Sequence, residues 1–460
     1  MVLRRLCKRF WWSWDMSEWK AVSLGSITTQ RKGINYKSAD YSDAHSGHPF
    51  ITIKCFVKGG GYEPTGIKFY DGFSTKADYL SAGDILFSVT DLTRAGDIVG
   101  SPLRVPDFGG EKLALASMDC MWIQPVAGRC DKGFLYHRLM LADVHRRMVA
   151  YSAGSTVLHL DTKKVPTISI RVPVEIRIQS KIALILDGID IAIEKTEALI
   201  AKYQQIKAGL IHDLFIRGVL PNGQLRPSYE QEPELYYETA IGWIPREWQV
   251  VRMVSLAEDR NGSTTIGPFG SDLVATDYRL EGVPVVFVRD IKESGFQWNS
   301  DTYISERKAQ QLNAHSVKSG EVLATKMGLP PCISCVYPDW MSNGVVTADM
   351  VRLSPDRKKV DALWLATAIN HDRVKRQVAA ITAGVTRPKI TLADFRAIKI
   401  AKPELDEQKR MSLRFTALQE KLDKELTQVE KLKKQKLGLM HDLLTGKVPV
   451  KVDIPETADA

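Results

Sequence analysis

The sequence predicts an α+β protein with an internal two-fold repeat, in which two mixed α/β domains are joined by two long antiparallel coiled-coil helices. Three observations carry that expectation. First, the octapeptide KAGLIHDL (207–214) returns as KLGLMHDL (436–443), with six identical positions and an offset of 229 residues. Second, other segments recur in the same order at near offsets: EWKAVSL with EWQVVRM, GDILFS with GEVLAT, MDCMWIQP with ADMVRLSP, SAGST with TAGVT, and Pro173 with Pro403. Third, each half changes texture in the same way, from short strand-like runs to a long proline-free stretch of helical period.

Residues 1–15, MVLRRLCKRFWWSWD, are basic and aromatic, but they lack a secretory apolar core and a small-residue cleavage site. They read as a disordered or artefactual extension, because Met16 opens the more ordinary MSEWKAVSLGSI. Residues 16–175 and 243–402 form the two mixed domains. Runs such as HPFITIKCFV, GDILFSV, GVPVVFVRDI and GEVLATKM are bounded by Gly, Pro, Asp and Asn and predict strands. The stretch DALWLATAINHDRVKRQVAA predicts intervening helix.

Residues 176–216 and 404–445 are the long helices. In the first, position a of a heptad holds Ile182, Ile189, Thr196, Tyr203 and Leu210, and position d holds Leu186, Ile193, Ile200, Lys207 and Leu214. The offset of 229 puts Met411, Leu418, Glu425, Leu432 and Leu439 at a, and Phe415, Leu422, Val429, Lys436 and Leu443 at d. Eight of ten seam positions are apolar in each helix, and both seams break at the same two places, as expected of paired helices whose register polar residues help to fix. Forty residues of helix span roughly 60 Å, long enough to overhang an ordinary domain. Between the halves, 217–242 is proline-rich and poor in aliphatics, and reads as an extended connector. Residues 446–460 read as a frayed tail.

A chain of 460 residues is too long for a single ordinary core, and 44% hydrophobic with 25% charged residues describes a soluble globular protein. The net charge of +9 fits a nucleic-acid partner, although housekeeping enzymes can carry such a basic excess too. Six cysteines without a disulfide-like framework point to a reducing, cytoplasmic setting, and no apolar run reaches membrane-spanning length. Cys332 and Cys335 form a C-x-x-C with no second pair, so they read as loop residues, as do His45 and His48 near Cys55; no metal site is assigned. There is no P-loop, and the glycine-rich VKGGGYE (57–63) lacks dinucleotide-binding spacing. Pro330–Pro331 lacks the flanking residues with which an amino-methyltransferase grips an extruded base. Asp161 and Lys163 have no evident partner acid for nuclease chemistry. His212–Asp213 and His441–Asp442 are sequence neighbours, so on a helix they point about 100° apart and form no dyad. No catalytic residue or cofactor is assigned to the chain. A DNA-reading protein, an enzyme with its own methyltransferase or nuclease chemistry, and a coiled-coil adaptor remain the three classes to separate.

GLIHDLFIRGVL and GLMHDLLTGKV, the lead-in ELYYETAIGWIPREWQVVRM, the paired GDILFS and GEVLAT, GPFGSDL and TAGVTRPKITLADF resemble, in order, the specificity subunits of type I restriction–modification systems. The first half departs from the pattern, since SAGSTVLHLDTKKV lacks the basic TRPK of its counterpart. The resemblance implies a non-catalytic subunit whose two target-recognition domains each read one half of a bipartite double-stranded DNA site. It implies that the helices act as a spacer and dock two modification (methyltransferase) subunits that use S-adenosylmethionine. Restriction subunits using ATP and Mg would join, and none of these cofactors is expected in this chain. Basic, loop-adjacent positions are the candidate DNA contacts: Lys54 and its counterpart Arg289, Arg94 and Lys326 beyond the paired strands, and Arg387 and Lys389 around Pro388. The seam residues Ile182, Leu186, Ile189, Ile193, Leu210, Leu214, Leu418, Leu422, Leu432, Leu439 and Leu443 are the candidates for helix pairing and partner docking.

Overall fold

The computed structural model describes residues 19–109, 112–384 and 386–452, so the extension 1–15 lies outside the described residues. The chain forms two compact units. One is built from the chain up to Glu197 together with the chain from Thr427 onward; the other is Ala198–Leu426. Each unit therefore contains one mixed domain and a portion of both long helices.

In the first unit, Thr28–Lys32, Cys120–Pro125, Ile85–Ser88 and Pro102–Arg104 form an antiparallel sheet in that order. A second sheet runs Tyr41–Ser42, Lys68–Tyr70, His48–Ile51 and Leu115–Ala116, with its last pair parallel. The second unit repeats the plan. Thr264–Ile266, Met350–Leu353, Val322–Thr325 and Ser334–Val336 form the antiparallel sheet, and Val283–Val286 lies parallel to Gly344–Val346 in the other. Every residue of Ile85–Ser88 and of Val322–Thr325 is buried. That is why GDILFS and GEVLAT are continuous apolar runs rather than alternating ones: both faces of these strands meet core. The ends of each domain are tied by the recurring Trp segment. Trp19–Ser23 pairs with Ser169–Pro173, and Gln249–Arg252 pairs with Lys399–Lys402.

The repeats diverge where SAGST and TAGVT align. In the first unit Ser152–Ala153 and Leu158–Leu160 join Thr90–Asp91 in a small sheet. The second unit has the helix Leu392–Ala397 downstream instead. Thr391 and Asp394 form a capping box there, whereas the first copy offers the strand-favouring run TVLHL.

The central helix, Ile176–Arg217, and the C-terminal helix, Leu405–Leu444, begin in the same way. Gln179 donates to the Pro173 carbonyl at 2.8 Å and accepts from the Asp131 amide at 2.9 Å. Gln408 makes the same bonds to Pro403 and Asp361 at the same distances. Asp131 and Asp361 in turn cap the domain helices Lys132–Leu139 and Ala362–Asn370. One glutamine thus fixes each long helix to its domain. The helices also end alike, at Gly218 (φ +72°) and Gly446 (φ +75°), in the left-handed cap conformation. A Cβ on either glycine would come within 2.6 Å of the Trp248 ring or 2.7 Å of the Trp19 ring, so the space as well as the φ excludes a side chain.

All twenty seam positions are buried or half-buried, while the equivalent outward leucines Leu184 and Leu413 are 65% and 70% exposed. In the first unit Lys436 meets Asp190 at 2.6 Å and Lys433 meets Glu197 at 2.8 Å, an antiparallel pairing. In the second, Lys207 donates to Gln419. Asp190 and Gln419 correspond at the offset of 229, so the polar break at Lys207 and Lys436 is one contact made twice. The same helices also lie on their domains. Ile182 and Leu186 share a core with Phe134, Leu443 and Leu444, and Leu214 and Phe215 share one with Trp364, Met411 and Phe415.

The connector is more structured than its composition predicts. Tyr236–Thr239 and Gly242–Pro245 form a hairpin, and buried Arg226 pairs with Glu407 and Glu247. Glu407 also accepts from the Val219 amide at 2.8 Å and the Trp248 indole at 3.1 Å. Few aliphatics are needed because a satisfied charge cluster anchors the segment. The start of the tail is likewise held, with the Val448 amide on the Asp442 carbonyl at 3.1 Å and Val450 against the first unit's core. Among the described residues no helix is long and apolar enough to cross a membrane.

Candidate nucleic-acid interface

In the second unit, the turn Val288–Asp290 follows the strand Val283–Val286. Buried Asp290 accepts from the Phe287 amide at 2.8 Å, the Asn299 amide at 3.0 Å and the Ser300 hydroxyl at 2.5 Å. This locks the turn and presents Arg289 to solvent, its guanidinium 4.3 Å from the Phe287 ring centre. Arg289 and Lys292 line a cleft of about 810 Å³ whose walls include Tyr278, Phe287, Ile333 and Asp349. Glu293, also in the lining, is paired with Lys375 at 2.8 Å.

Lys326 follows the strand Val322–Thr325 directly and is only 7% exposed, not on the open loop its sequence position suggests. Its ammonium donates to the Ala348 carbonyl at 3.2 Å, and burial, then the neighbouring Lys389, pull its pKa below the usual lysine value. Lys389 is brought alongside by the bridge between Met327 and Lys389 and by the Ile390 amide on the Lys326 carbonyl at 3.0 Å. Lys389 and Arg387 are exposed. Four of the six basic candidates therefore belong to the second unit, and Arg289, Lys326 and Lys389 surround or adjoin one cleft.

In the first unit Lys54 occupies the turn Ile53–Cys55, which follows His48–Ile51 as the Arg289 turn follows Val283–Val286, and it is exposed. Arg94 is exposed on a separate loop organised by buried Asp91. Burial raises the Asp91 pKa, but hydrogen bonds from Thr93, Ile98 and Val99 outweigh it and hold the carboxyl below the ordinary range. Arg94 is not the counterpart of Lys326: Ser88 matches Thr325, so Val89 takes that place. Sequence reasoning missed Lys292 and the pairing of Arg31 with Trp122, 4.7 Å from the guanidinium to the ring centre. It also missed Phe269 and Leu329, which are 73% and 89% exposed. A large apolar residue between glycines, as in GPFG, was the available signal.

Among the described residues one cluster has metal-ligand geometry. His137, Asp187 and Asp190 bring ligand atoms within 4.8 Å of one another. However, Arg104 meets Asp187 at 2.6 Å and Lys436 meets Asp190 at 2.6 Å, so cations of the chain already neutralise both carboxylates. Burial lowers the His137 pKa, and the neutral ring bonds Asp187 at 2.7 Å. The group is a charged lock between Lys132–Leu139 and the central helix. Cys332 and Cys335 are buried thiols whose pKa values burial raises to about 12, which leaves them unreactive.

The family described as type I restriction modification DNA specificity domain matches this chain twice, over residues 16–204 and 245–434. The type I restriction enzyme MjaVIII specificity subunit of Methanocaldococcus jannaschii is 21% identical over 444 residues, 94% of each chain. The EcoBI specificity subunit of Escherichia coli is 21% identical over 87% of this chain and 79% of its own length. Among solved structures, the S subunit of a type I system from M. genitalium aligns with a TM-score of 0.57 at 14% identity, covering 94% of this chain and 97% of that one. A chain from a structural study of type I R-M complex assembly and conformational transition aligns at 0.52 and 15% identity, covering 94% and 98%. Both repeats, each with a mixed domain and a long helix, are thus accounted for by a single domain type, and the chain belongs to the type I restriction–modification DNA specificity family, the non-catalytic DNA-recognition subunits of these enzymes.

Proposed function

We propose that residues 16–175 and 243–402 are two target-recognition domains, each reading one half of a bipartite double-stranded DNA site. The central and C-terminal helices set the spacer between the half-sites and dock two methyltransferase subunits. S-adenosylmethionine belongs to those subunits, and ATP and Mg to the restriction subunits that complete the assembly in the cytoplasm. The observation that carries this reading is the duplicated lock of Gln179 and Gln408, which ties two different recognition surfaces to two equivalent helices. Equivalent helices offer equivalent seats for two copies of one partner, while unlike domains read unlike sequences. Lys54, Arg94, Arg289, Lys326, Arg387 and Lys389 are the proposed DNA contacts, since lysine and arginine hold phosphates and arginine reads guanine edges.

The test is selection from a randomised duplex library by the full chain assembled with a type I modification subunit. Two short motifs separated by a constant gap are expected, and the chain alone transfers no methyl group from S-adenosylmethionine. Enrichment of one uninterrupted motif, or methyl transfer by the partner-free chain, overturns the reading.

A further inference from the structure

The cleft of the second unit combines features that its DNA-reading role does not by itself specify. Gly267 passes so close to Thr347 that a Cβ would lie 2.1 Å from its carbonyl, and this close crossing fixes the start of the segment carrying Phe269. Pro268 and Gly270, on either side of Phe269, line the cleft. Across the lining, Leu329 stands on the loop between Gly328 and Pro330, almost wholly in solvent. Among the described residues these two large apolar side chains, held out beside a concave surface, are mostly exposed to solvent. Their surroundings are cationic: Arg289 and Lys292 lie in the lining, Lys326 and Lys389 adjoin it, and Lys375 neutralises Glu293. Asp349 is the remaining lining carboxylate among the described residues. Lys326 and Lys389 are like charges held side by side by backbone bonds; the Asp349 carboxylate acts on Lys326, but no salt bridge to a carboxylate is formed by either among the described residues. An anion against them would relieve that repulsion.

We infer that this cleft mouth is a composite DNA site, in which Lys326 and Lys389 clamp one backbone phosphate while Phe269 and Leu329 make the apolar contact with the adjoining bases. The inference rests on the DNA-reading function proposed above and adds the division of labour within the second domain. Apolar side chains touch thymine methyl groups or wedge between base steps, and a phosphate clamp fixes their register. The clamp is confined to the second domain, because Val89 stands at the position of Lys326 in the first.

The experiment uses the full chain assembled with a modification subunit and duplexes selected from a randomised library. Lys389→Ala, with its exposed side chain, should weaken binding to all sequences alike and lower the slope of log K against log salt by about 1. Leu329→Ala and Phe269→Ala, both on exposed side chains, should keep that slope and relax base preference in one half-site. The expected loss of discrimination there is on the order of tenfold per position. The assignment is overturned if Lys389→Ala leaves the slope unchanged, or if both apolar variants select the parent's sequence with the parent's discrimination. A parent complex that selects no DNA sequence overturns the functional reading and this assignment with it.

Discussion

His371 caps the helix Asp372–Ile381, accepting the Arg373 amide at Nδ1, and lies against Phe215 with ring centres 5.1 Å apart. Burial, followed by the Arg373 cation, lowers its pKa from 6.5 to about 4. Between those values the unfolded chain takes up a proton that the folded chain does not. Stability therefore falls as pH drops through that window, and outside the window this group adds no further change with pH. A shift of that size corresponds to about 3 kcal/mol. His371→Asn keeps a capping side chain without a titrating one, so its denaturant midpoint should fall less than the parent's between pH 7.5 and pH 4.5. Identical pH dependence in the two proteins would place the acid sensitivity elsewhere. The sequence reading runs helical stretch straight through His371, where the structure ends one helix at Asn370 and starts the next at Asp372. Its environment comes from Phe215, more than 150 positions away, and no local pattern encodes that. Lys326 shows the same limit: its charge is legible, but its burial is a property of the strands around it.

At the scale of the element, the heptad was legible because it expresses a local period. The twenty positions it selects are all withdrawn from solvent, and at one of its two shared breaks Lys207 and Lys436 reach polar partners. Ile193 is buried in that seam, whereas Leu184 points outward. Ile193→Asp should cost about 3 kcal/mol or more, since an unpaired carboxylate is buried. Leu184→Asp should change stability by less than about 0.5 kcal/mol. Urea denaturation of the two variants checks the contrast, and equal midpoints would mean the seam is misassigned. The connector was less legible. Its proline content predicts an extended connector, but Arg226 is held by Glu407, from the start of the C-terminal helix. A long-range ion pair leaves no periodic trace.

For the whole molecule, the repeat makes two modular exchanges informative. Replacing 243–402 with the same region of a relative should rewrite one half-site and leave the other half-site and the spacer unchanged. Adding one heptad to each long helix preserves the seam and lengthens each by roughly 10 Å. That should change the spacer while both half-sites persist. Methylation mapping across a genome reports both results. A domain exchange that rewrites both half-sites, or a helix insertion that alters base identity at constant spacing, would contradict the proposed division of labour.

The sequence by itself determined the duplication, the strand runs and the paired helices, because each is written in near neighbours: identical octapeptides, buried runs such as GDILFS, and a period of seven. It also determined family membership, through motifs preserved in order. Only the tertiary structure decided which basic residues converge. Arg289, Lys326 and Lys389 are separated by tens of residues, yet Arg289 lines the cleft while Lys326 and Lys389, held together by backbone pairing, adjoin it. It likewise decided that each compact unit draws on both long helices, since antiparallel pairing sets the start of one against the end of the other. Burial and convergence depend on contacts between distant segments, and such contacts exist only once the chain has folded.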